Sequence, residues 1–297
     1  MKKILLTGSD GQLGTDLLRL LKNEGIGVAP FTMKTLDITG KEKVLKAVRD
    51  ERPSVIVNCA AYTNVDKAET EKDLAFAVNR DGAAHLAEAA FAIDAPLIHI
   101  STDYVFDGSK STPYVETDET NPLGVYGESK LAGEEEIRKL HPGHIIIRTS
   151  WLYGAHGHNF VKTILRLASE RESLRVVYDQ TGAPTWTEDL ASAIIHAVRA
   201  AVKGNAPYGT YHYANEGVTS WYDFSLSIVE EAKGMGSQLR CKTIAPILTS
   251  EYPAPAKRPP YSVFDKGKIR KTFNMTIPHW KASLRNMLNI LYGGTNA

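Results

Sequence analysis

Lys3-Ile-Leu-Leu-Thr-Gly-Ser-Asp-Gly-Gln-Leu-Gly14 sets the reading of the whole chain. Lys3–Thr7 is a short apolar run of the buried-strand type, and Gly8, Gly11 and Gly14 follow at three-residue intervals. Leu13, Leu17, Leu20 and Leu21 then recur at helical spacing as far as Gly25. Strand, glycine turn and helix in that order make the opening half of a βαβ unit. Glycine lets the backbone turn sharply and approach a pyrophosphate, which the free N–H groups and positive dipole end of the next helix face. Elsewhere a glycine triplet is a plain turn. In this context Gly8, Asp10, Gly11, Gln12, Leu13 and Gly14 are candidates for a dinucleotide cradle.

The alternation continues beyond this unit. Strands are expected at Gly27–Phe31, Val55–Asn58, Leu97–Ser101 and Ile145–Thr149. Helices are expected over Lys41–Asp50 (stopped by Pro53), Lys72–Ala92 and Tyr126–Leu140. Apolar strands that do not alternate, each followed by a helix, predict an α/β fold of the Rossmann type, a doubly wound parallel sheet with helices on both faces. After Trp151 the pattern loosens under prolines such as Pro246, Pro253, Pro255, Pro259 and Pro260, with helices expected at Trp221–Lys233 and Trp280–Leu291. Residues 1–150 are therefore read as a dinucleotide-binding domain, to which segments near 175–215 return. Residues 151–297 are read as a smaller, mainly substrate-binding lobe.

Bulk properties exclude several classes. A net charge of +1 without a basic stripe argues against a nucleic-acid partner. The apolar start Met1–Leu6 ends at Thr7, short of a signal peptide, and no run approaches the length of a membrane span. Cys59 and Cys241 make no disulfide framework, and a cytoplasmic protein is expected.

Tyr126-Gly-Glu-Ser-Lys130 offers the chemistry. Tyr126 is the only tyrosine with a lysine four residues later, so phenol and ammonium share one helix face. Reducing a ketone places negative charge on its oxygen, and an acid must deliver a proton there. A free phenol titrates near ~10, and a neighbouring ammonium lowers this by roughly 1–3 units. Thr102, 24 residues upstream, supplies a hydroxyl to orient the same oxygen. The second strand leads into Phe31-Thr-Met-Lys34, and the first acid, Asp37, comes after Lys34. An NAD-specific site wants that acid earlier, so NADPH is expected, with NADH also accepted.

The G-x-x-G-x-x-G spacing resembles the extended branch of the short-chain dehydrogenase/reductase superfamily, whose Ser/Thr, Tyr and Lys triad would be Thr102, Tyr126 and Lys130. The resemblance narrows with "STDYVFDG" (Ser101–Gly108), "YGESKLAGE" (Tyr126–Glu134), "RTSWLYG" (Arg148–Gly154), "VYDQTGAPT" (Val177–Thr185) and "PAKRP" (Pro255–Pro259). In this order, with "GQLG" and "VDKAE", they resemble the dTDP-4-dehydrorhamnose reductases across essentially the whole chain. That implies reduction of dTDP-4-dehydro-β-L-rhamnose to dTDP-L-rhamnose. It also implies that Gly11, Gln12 and Leu13 meet the pyrophosphate, that Asp37 and Ile38 border the adenine, and that Ala60, Ala61, Tyr62, Thr63 and Asn79 line the cofactor. Lys130 would hold the nicotinamide ribose. Thr102, Asp103 and Tyr104 would touch the sugar, with Trp151 at its ring and Arg258 near the diphosphate.

Other readings stay open beside it: a nucleotide-sugar epimerase or dehydratase, or a non-catalytic subunit similar to the regulatory subunit of methionine adenosyltransferase. His156 and His158 are read as a polar loop, Cys59 as a small buried residue and Glu134-Glu135-Glu136 as a solvated helix face. Some members of the family join subunits through acidic residues and magnesium. Ile290 stands where such an acid is wanted, so no metal is expected, while a homodimer is compatible with the sequence.

Overall fold

In the structure, a computed structural model describing residues 3–204 and 206–293, Lys3–Thr7 forms β1 and Gln12–Asn23 forms α1. Met1 and Lys2 of the apolar start, and the last residues of the second lobe, lie outside the described residues. The side chains of β1 divide between two cores: Ile4 and Leu6 join one and Leu5 the other, all at 0% exposure. Each such burial stabilises by roughly 1.5–3 kcal/mol, which commits both faces of the strand to helices.

The chain continues through β2 (Gly27–Phe31), α2 (Lys41–Glu51), β3 (Val55–Asn58), α3 (Val65–Ala68), α4 (Lys72–Phe76), α5 (Gly82–Ala92), β4 (Leu97–Thr102), α6 (Val125–Leu140) and β5 (His144–Thr149). Next come β6 (Leu152–Tyr153), α7 (Phe160–Glu170), β7 (Ser173–Val177), β8 (Thr181–Gly182), β9 (Thr185–Trp186), α8 (Thr187–Val202) and β10 (Gly209–His212). Then follow β11 (Thr219–Ser220), α9 (Trp221–Gly234), β12 (Thr243–Ile247), α10 (Gly267–Phe273) and α11 (Trp280–Tyr292). Six parallel strands form the main sheet in the order β10-β5-β4-β3-β1-β2. β2 is an edge, which is where Pro30 can sit without removing a ladder hydrogen bond. The order reverses beside β1, and the crevice between the carboxyl ends of β1 and β3 is where such sheets take ligands.

Helices α1 and α8 cover one face, and α2 and α5 the other. A second apolar cluster gathers Tyr153, Ile164, Trp186, Phe224, Trp280 and Met287 from α7, α9, α11 and the short strands between. Strand β7 belongs to this cluster and pairs with β12, whereas α8 and β10 build onto the main sheet. Helices α7 and α8 had no forecast in the sequence.

The single helix expected over Lys72–Ala92 is divided by a π-helical turn at Ala77–Asp81. Asn79 lies within this turn and is buried, its amide tied to two other segments. Such a turn adds a residue and re-aims the side chains it carries. The solvated face expected of Glu134-Glu135-Glu136 also needs correction. Glu135 is exposed, but Glu134 is 0% exposed, because α6 turns it toward Arg148 on β5.

Candidate active site

The glycine turn is shaped by contacts that leave no room for a side chain. Gly8 has φ +65°, and a Cβ there would lie 2.6 Å from the Ala60 nitrogen. A Cβ on Gly14 would lie 2.0 Å from the Gly8 carbonyl oxygen. The N-terminus of α1 is capped by Gly11 without any side-chain hydrogen bond, so its first N–H groups keep their capacity for an anion. These are the features a pyrophosphate needs, and the turn fits a dinucleotide. Asp10 and Gly11 are exposed, Gln12 is half-buried and Leu13 packs into the core. Gln12 Oε1 accepts from Asn159 Nδ2 at 2.9 Å, which brings the start of α7 over the turn.

Asn79 secures the opposite wall. Its Oδ1 accepts from Tyr62 N at 2.9 Å, while its Nδ2 donates to Tyr62 O and to Ser129 Oγ, both at 3.0 Å. The amide is fully engaged with the chain, so Asn79 fixes the backbone of Ala60, Ala61, Tyr62 and Thr63. The Ile38 side chain is 4% exposed and packs on Gly82. Asp37 is exposed, its Oδ1 accepting from Thr39 N and Oγ1.

Thr102 ends β4, with its hydroxyl donating to Asp103 Oδ1 at 3.0 Å and accepting from Tyr104 N at 3.2 Å. Helix α6 brings Tyr126 to this strand end, where its ring meets Tyr104 edge to face at 5.4 Å and its phenol feels the Thr102 hydroxyl. Burial pushes the Tyr126 phenol up to about 12, against the pull of Thr102, and the neighbouring Asp103 adds to the rise. Burial also raises the Asp103 carboxyl to about 6, opposed by the Ser262 and Thr102 hydroxyls.

Lys130 is only 2% exposed, and burial lowers its amine to about 8, although Glu134 and Cys59 act in the other direction. Its Nζ donates to Ile100 O at 2.6 Å and stands 3.2 Å from His99 Nε2. The structure therefore differs from the simple expectation of a lysine that lowers its helix neighbour. The Lys130 Nζ points to the strand, and desolvation governs the phenol.

The later motifs converge on the same cleft. Arg258 Nη2 donates to Asp66 Oδ2 at 2.9 Å, joining "PAKRP" to "VDKAE", and Arg258 also acts on Tyr104. Thr181 N donates to Pro260 O at 2.8 Å, and Pro260 packs against Gly108. Trp151 is half-buried beside this cleft. It adopts φ +47° and stacks on Trp221 with ring centroids 3.5 Å apart and planes 7° apart. One indole face is thus covered by Trp221, and Gly182 crowds the ring so closely that a Cβ there would lie 2.6 Å from Trp151 Cε2.

The chain matches the family described as the RmlD substrate binding domain over residues 1–292. A dTDP-4-dehydrorhamnose reductase from Aggregatibacter actinomycetemcomitans is 44% identical over 289 residues, spanning 97% of this chain and 98% of that one. This chain belongs to the dTDP-4-dehydrorhamnose reductase family. The Escherichia coli K12 reductase of that name is 43% identical over 98% of this chain and 99% of its own. The crystal structure of the Bacillus anthracis reductase, in complex with NADP, superposes with a TM-score of 0.91 at 41% identity, covering 97% of this chain and 99% of that one.

Within this reductase fold, sequence reasoning missed His99, Asn58, Glu134, Asp66 and Ser262. The first two carried a signal: each is a polar residue in an otherwise apolar strand run, and both are 1% exposed. Ser262 and Asp66 reach the site only through the closure of distant loops. Cys59 is half-buried, with burial pushing its thiol up to about 12. His156 Nε2 lies 3.7 Å from Asp16 Oδ1, and no helix among the described residues is long and apolar enough to cross a membrane.

Proposed function

We propose that this chain reduces the C4 keto group of dTDP-4-dehydro-β-L-rhamnose to give dTDP-L-rhamnose, using NADPH and accepting NADH, as the last step in making the activated sugar. One observation supports the reading: Tyr126 comes to Thr102 at the end of β4, buried Lys130 binds Ile100 O two residues back on the same strand, and Cys59, which touches the Gly8 turn, lies close enough to influence Lys130. Family membership and the NADP held by the Bacillus anthracis relative support it.

The nicotinamide, when bound, supplies the electron pair to C4 as hydride. Gly8, Gly11, Gln12 and Gly14 bind the pyrophosphate at the helix end, and Asn79 keeps the Ala60–Thr63 wall in register. Tyr126 delivers its phenolic proton to the carbonyl oxygen. A phenol pushed up to about 12 is fully protonated at neutral pH, the form an acid requires. Thr102 Oγ1 orients the same oxygen. Lys130 holds the nicotinamide ribose and, in its protonated form, supplies the positive charge that makes loss of the phenolic proton less costly. Asp103 and Tyr104 border the sugar, and Arg258, fixed by Asp66, faces the nucleotide diphosphate from the C-terminal side. The division of labour follows: residues 1–150 with α8 and β10 hold the cofactor, and the remainder closes over the sugar.

The test follows NADPH absorbance with dTDP-4-dehydro-β-L-rhamnose for the native protein and Tyr126→Phe. Oxidation yielding dTDP-L-rhamnose, with a loss of at least ~10²-fold in the variant, is the expected result. Folded native protein that binds NADPH but does not oxidise it with this substrate would overturn the assignment.

A further inference from the structure

Behind the strand end, Lys130 stands on a buried chain of polar groups that the proposed chemistry leaves unexplained. Thr7 Oγ1 donates to Asn58 Oδ1 at 2.7 Å, and Ala60 N donates to the same oxygen at 3.0 Å. Asn58 Nδ2 is 3.0 Å from His99 Nδ1, and His99 Nε2 is 3.2 Å from Lys130 Nζ. Thr7, Asn58 and His99 are each 1% exposed and Lys130 is 2% exposed, so no solvent relieves a mismatch.

The direction of every bond follows from one fixed donor. A backbone N–H can only donate, so Ala60 holds Oδ1 as the acceptor and leaves the Asn58 NH₂ facing the imidazole. His99 Nδ1 must then accept. Burial keeps this imidazole neutral, and its single proton belongs on Nε2. That N–H points at Lys130, and an ammonium has no lone pair to receive it. The amine form resolves the conflict, accepting from Nε2–H while still donating to Ile100 O at 2.6 Å.

We infer that His99, with its tautomer set by Asn58, is a positioning residue that presents Nε2–H to Lys130 and so favours its uncharged amine over the ammonium form. The other groups facing Lys130 oppose its neutralisation only in part, and Glu134 is the larger of the opposing charges. Glu134, one turn along α6, is committed to Arg148 and Arg138, and Cys59 has its thiol pushed up to about 12. Tyr126, on the same helix, feels the Thr102 hydroxyl and is neutral.

Asn58→Asp tests the chain of reasoning with almost no change of shape. One carboxylate oxygen still accepts from Thr7 and Ala60, but the other can only accept from His99 Nδ1. The imidazole proton must move to Nδ1, and Nε2 becomes an acceptor for the ammonium. Long-range ¹H–¹⁵N spectra of histidine-labelled, nucleotide-free protein read the tautomer, with the His99 signals assigned by their loss in His99→Gln. Lysine ¹³Cε shifts followed against pH read Lys130.

The native protein should show protonated Nε2 at His99 and a Lys130 midpoint at least about one pH unit below an ordinary lysine. Asn58→Asp should show protonated Nδ1 and a midpoint higher by at least about one pH unit. A native His99 protonated on Nδ1, or an Asn58→Asp protein with tautomer and midpoint unmoved, would overturn the inference. The native spectrum decides alone if the variant fails to fold. None of these readouts uses sugar reduction, so they stand or fall apart from the proposed reductase activity.

Discussion

Replacing Glu134 by Gln should lower global stability by about 3–5 kcal/mol, because it removes one partner of a buried ion pair and keeps the other. Arg148 donates to Glu134 through Nε at 2.9 Å and Nη2 at 2.7 Å, with side-chain exposures of 3% and 0% for the two residues. Arg138 adds a contact at 2.5 Å from the helix surface. A glutamine keeps the shape and one acceptor oxygen, but its NH₂ then faces a guanidinium N–H. The arginine stays charged above the ring of Phe106, 5.1 Å from its centroid, with nothing to balance it. At roughly 2.1 cal/mol/K of unfolding entropy per residue, the loss corresponds to a melting temperature lower by about 5–8 °C if the chain unfolds as one unit.

Urea unfolding at pH 7, followed by circular dichroism and fluorescence, measures the effect directly. The double variant Glu134→Leu/Arg148→Met should recover most of the loss, since well-packed apolar groups replace buried ion pairs at little net cost. Acidification supplies an independent check. Burial alone would raise the Glu134 carboxyl, but the Arg148 guanidinium outweighs it and holds the group below the usual carboxylate range. A carboxyl lowered in the folded state contributes stability above its unfolded value of ~4.3, and that contribution disappears as pH falls through the lower folded value. A single Glu134→Gln variant within about 1 kcal/mol of the native protein would refute the assigned pairing.

Three further outcomes follow from the site. Gly14→Ala should cut NADPH affinity by at least ~10-fold in a fluorescence titration, since its Cβ would lie 2.0 Å from the Gly8 carbonyl and must push the turn apart; unchanged affinity would refute the cradle. Asn79→Ala should cost about 1–3 kcal/mol in urea unfolding, because Tyr62 N and O lose their buried partners; a cost below ~0.5 kcal/mol would show that Asn79 does not clamp the wall. Asp103 carries the opposite pH sign to Glu134. Burial raises its carboxyl to about 6, so its contribution is full below the unfolded value of ~3.9 and is lost as pH rises through about 6. Asp103→Asn should therefore be the more stable protein at pH 8, by up to ~3 kcal/mol, with the advantage gone at pH 4; equal melting curves at both values would refute it.

The parts of this molecule that were legible in the sequence are those where one residue type has one physical use. Gly8 and Gly14 could be read because only backbone fits between β1, Ala60 and α1. Lys3–Thr7 and Val55–Asn58 could be read because a strand covered on both faces has no place for alternation. Glu134 was misread because its partner comes from another element of the fold. The stack of Trp151 on Trp221, seventy residues on, was equally out of reach of a local pattern. The acidic triplet looks solvated until β5 places Arg148 against only one of its three members.

Lys130 shows why spacing identifies a partner less well than it identifies a residue. The i,i+4 rule puts Tyr126 and Lys130 on one face of α6, but a flexible four-carbon stem in a dry pocket goes to the strongest available acceptor. That acceptor is Ile100 O, with His99 beside it, on the neighbouring strand. The lysine's charge is then set by which atoms of His99 and Asn58 carry hydrogen, and that question is settled by the backbone N–H of Ala60. A pattern of residue types contains no record of hydrogen-bond direction. Only the folded arrangement of fixed donors does, and here it reaches from Ala60 to the lysine of the proposed triad.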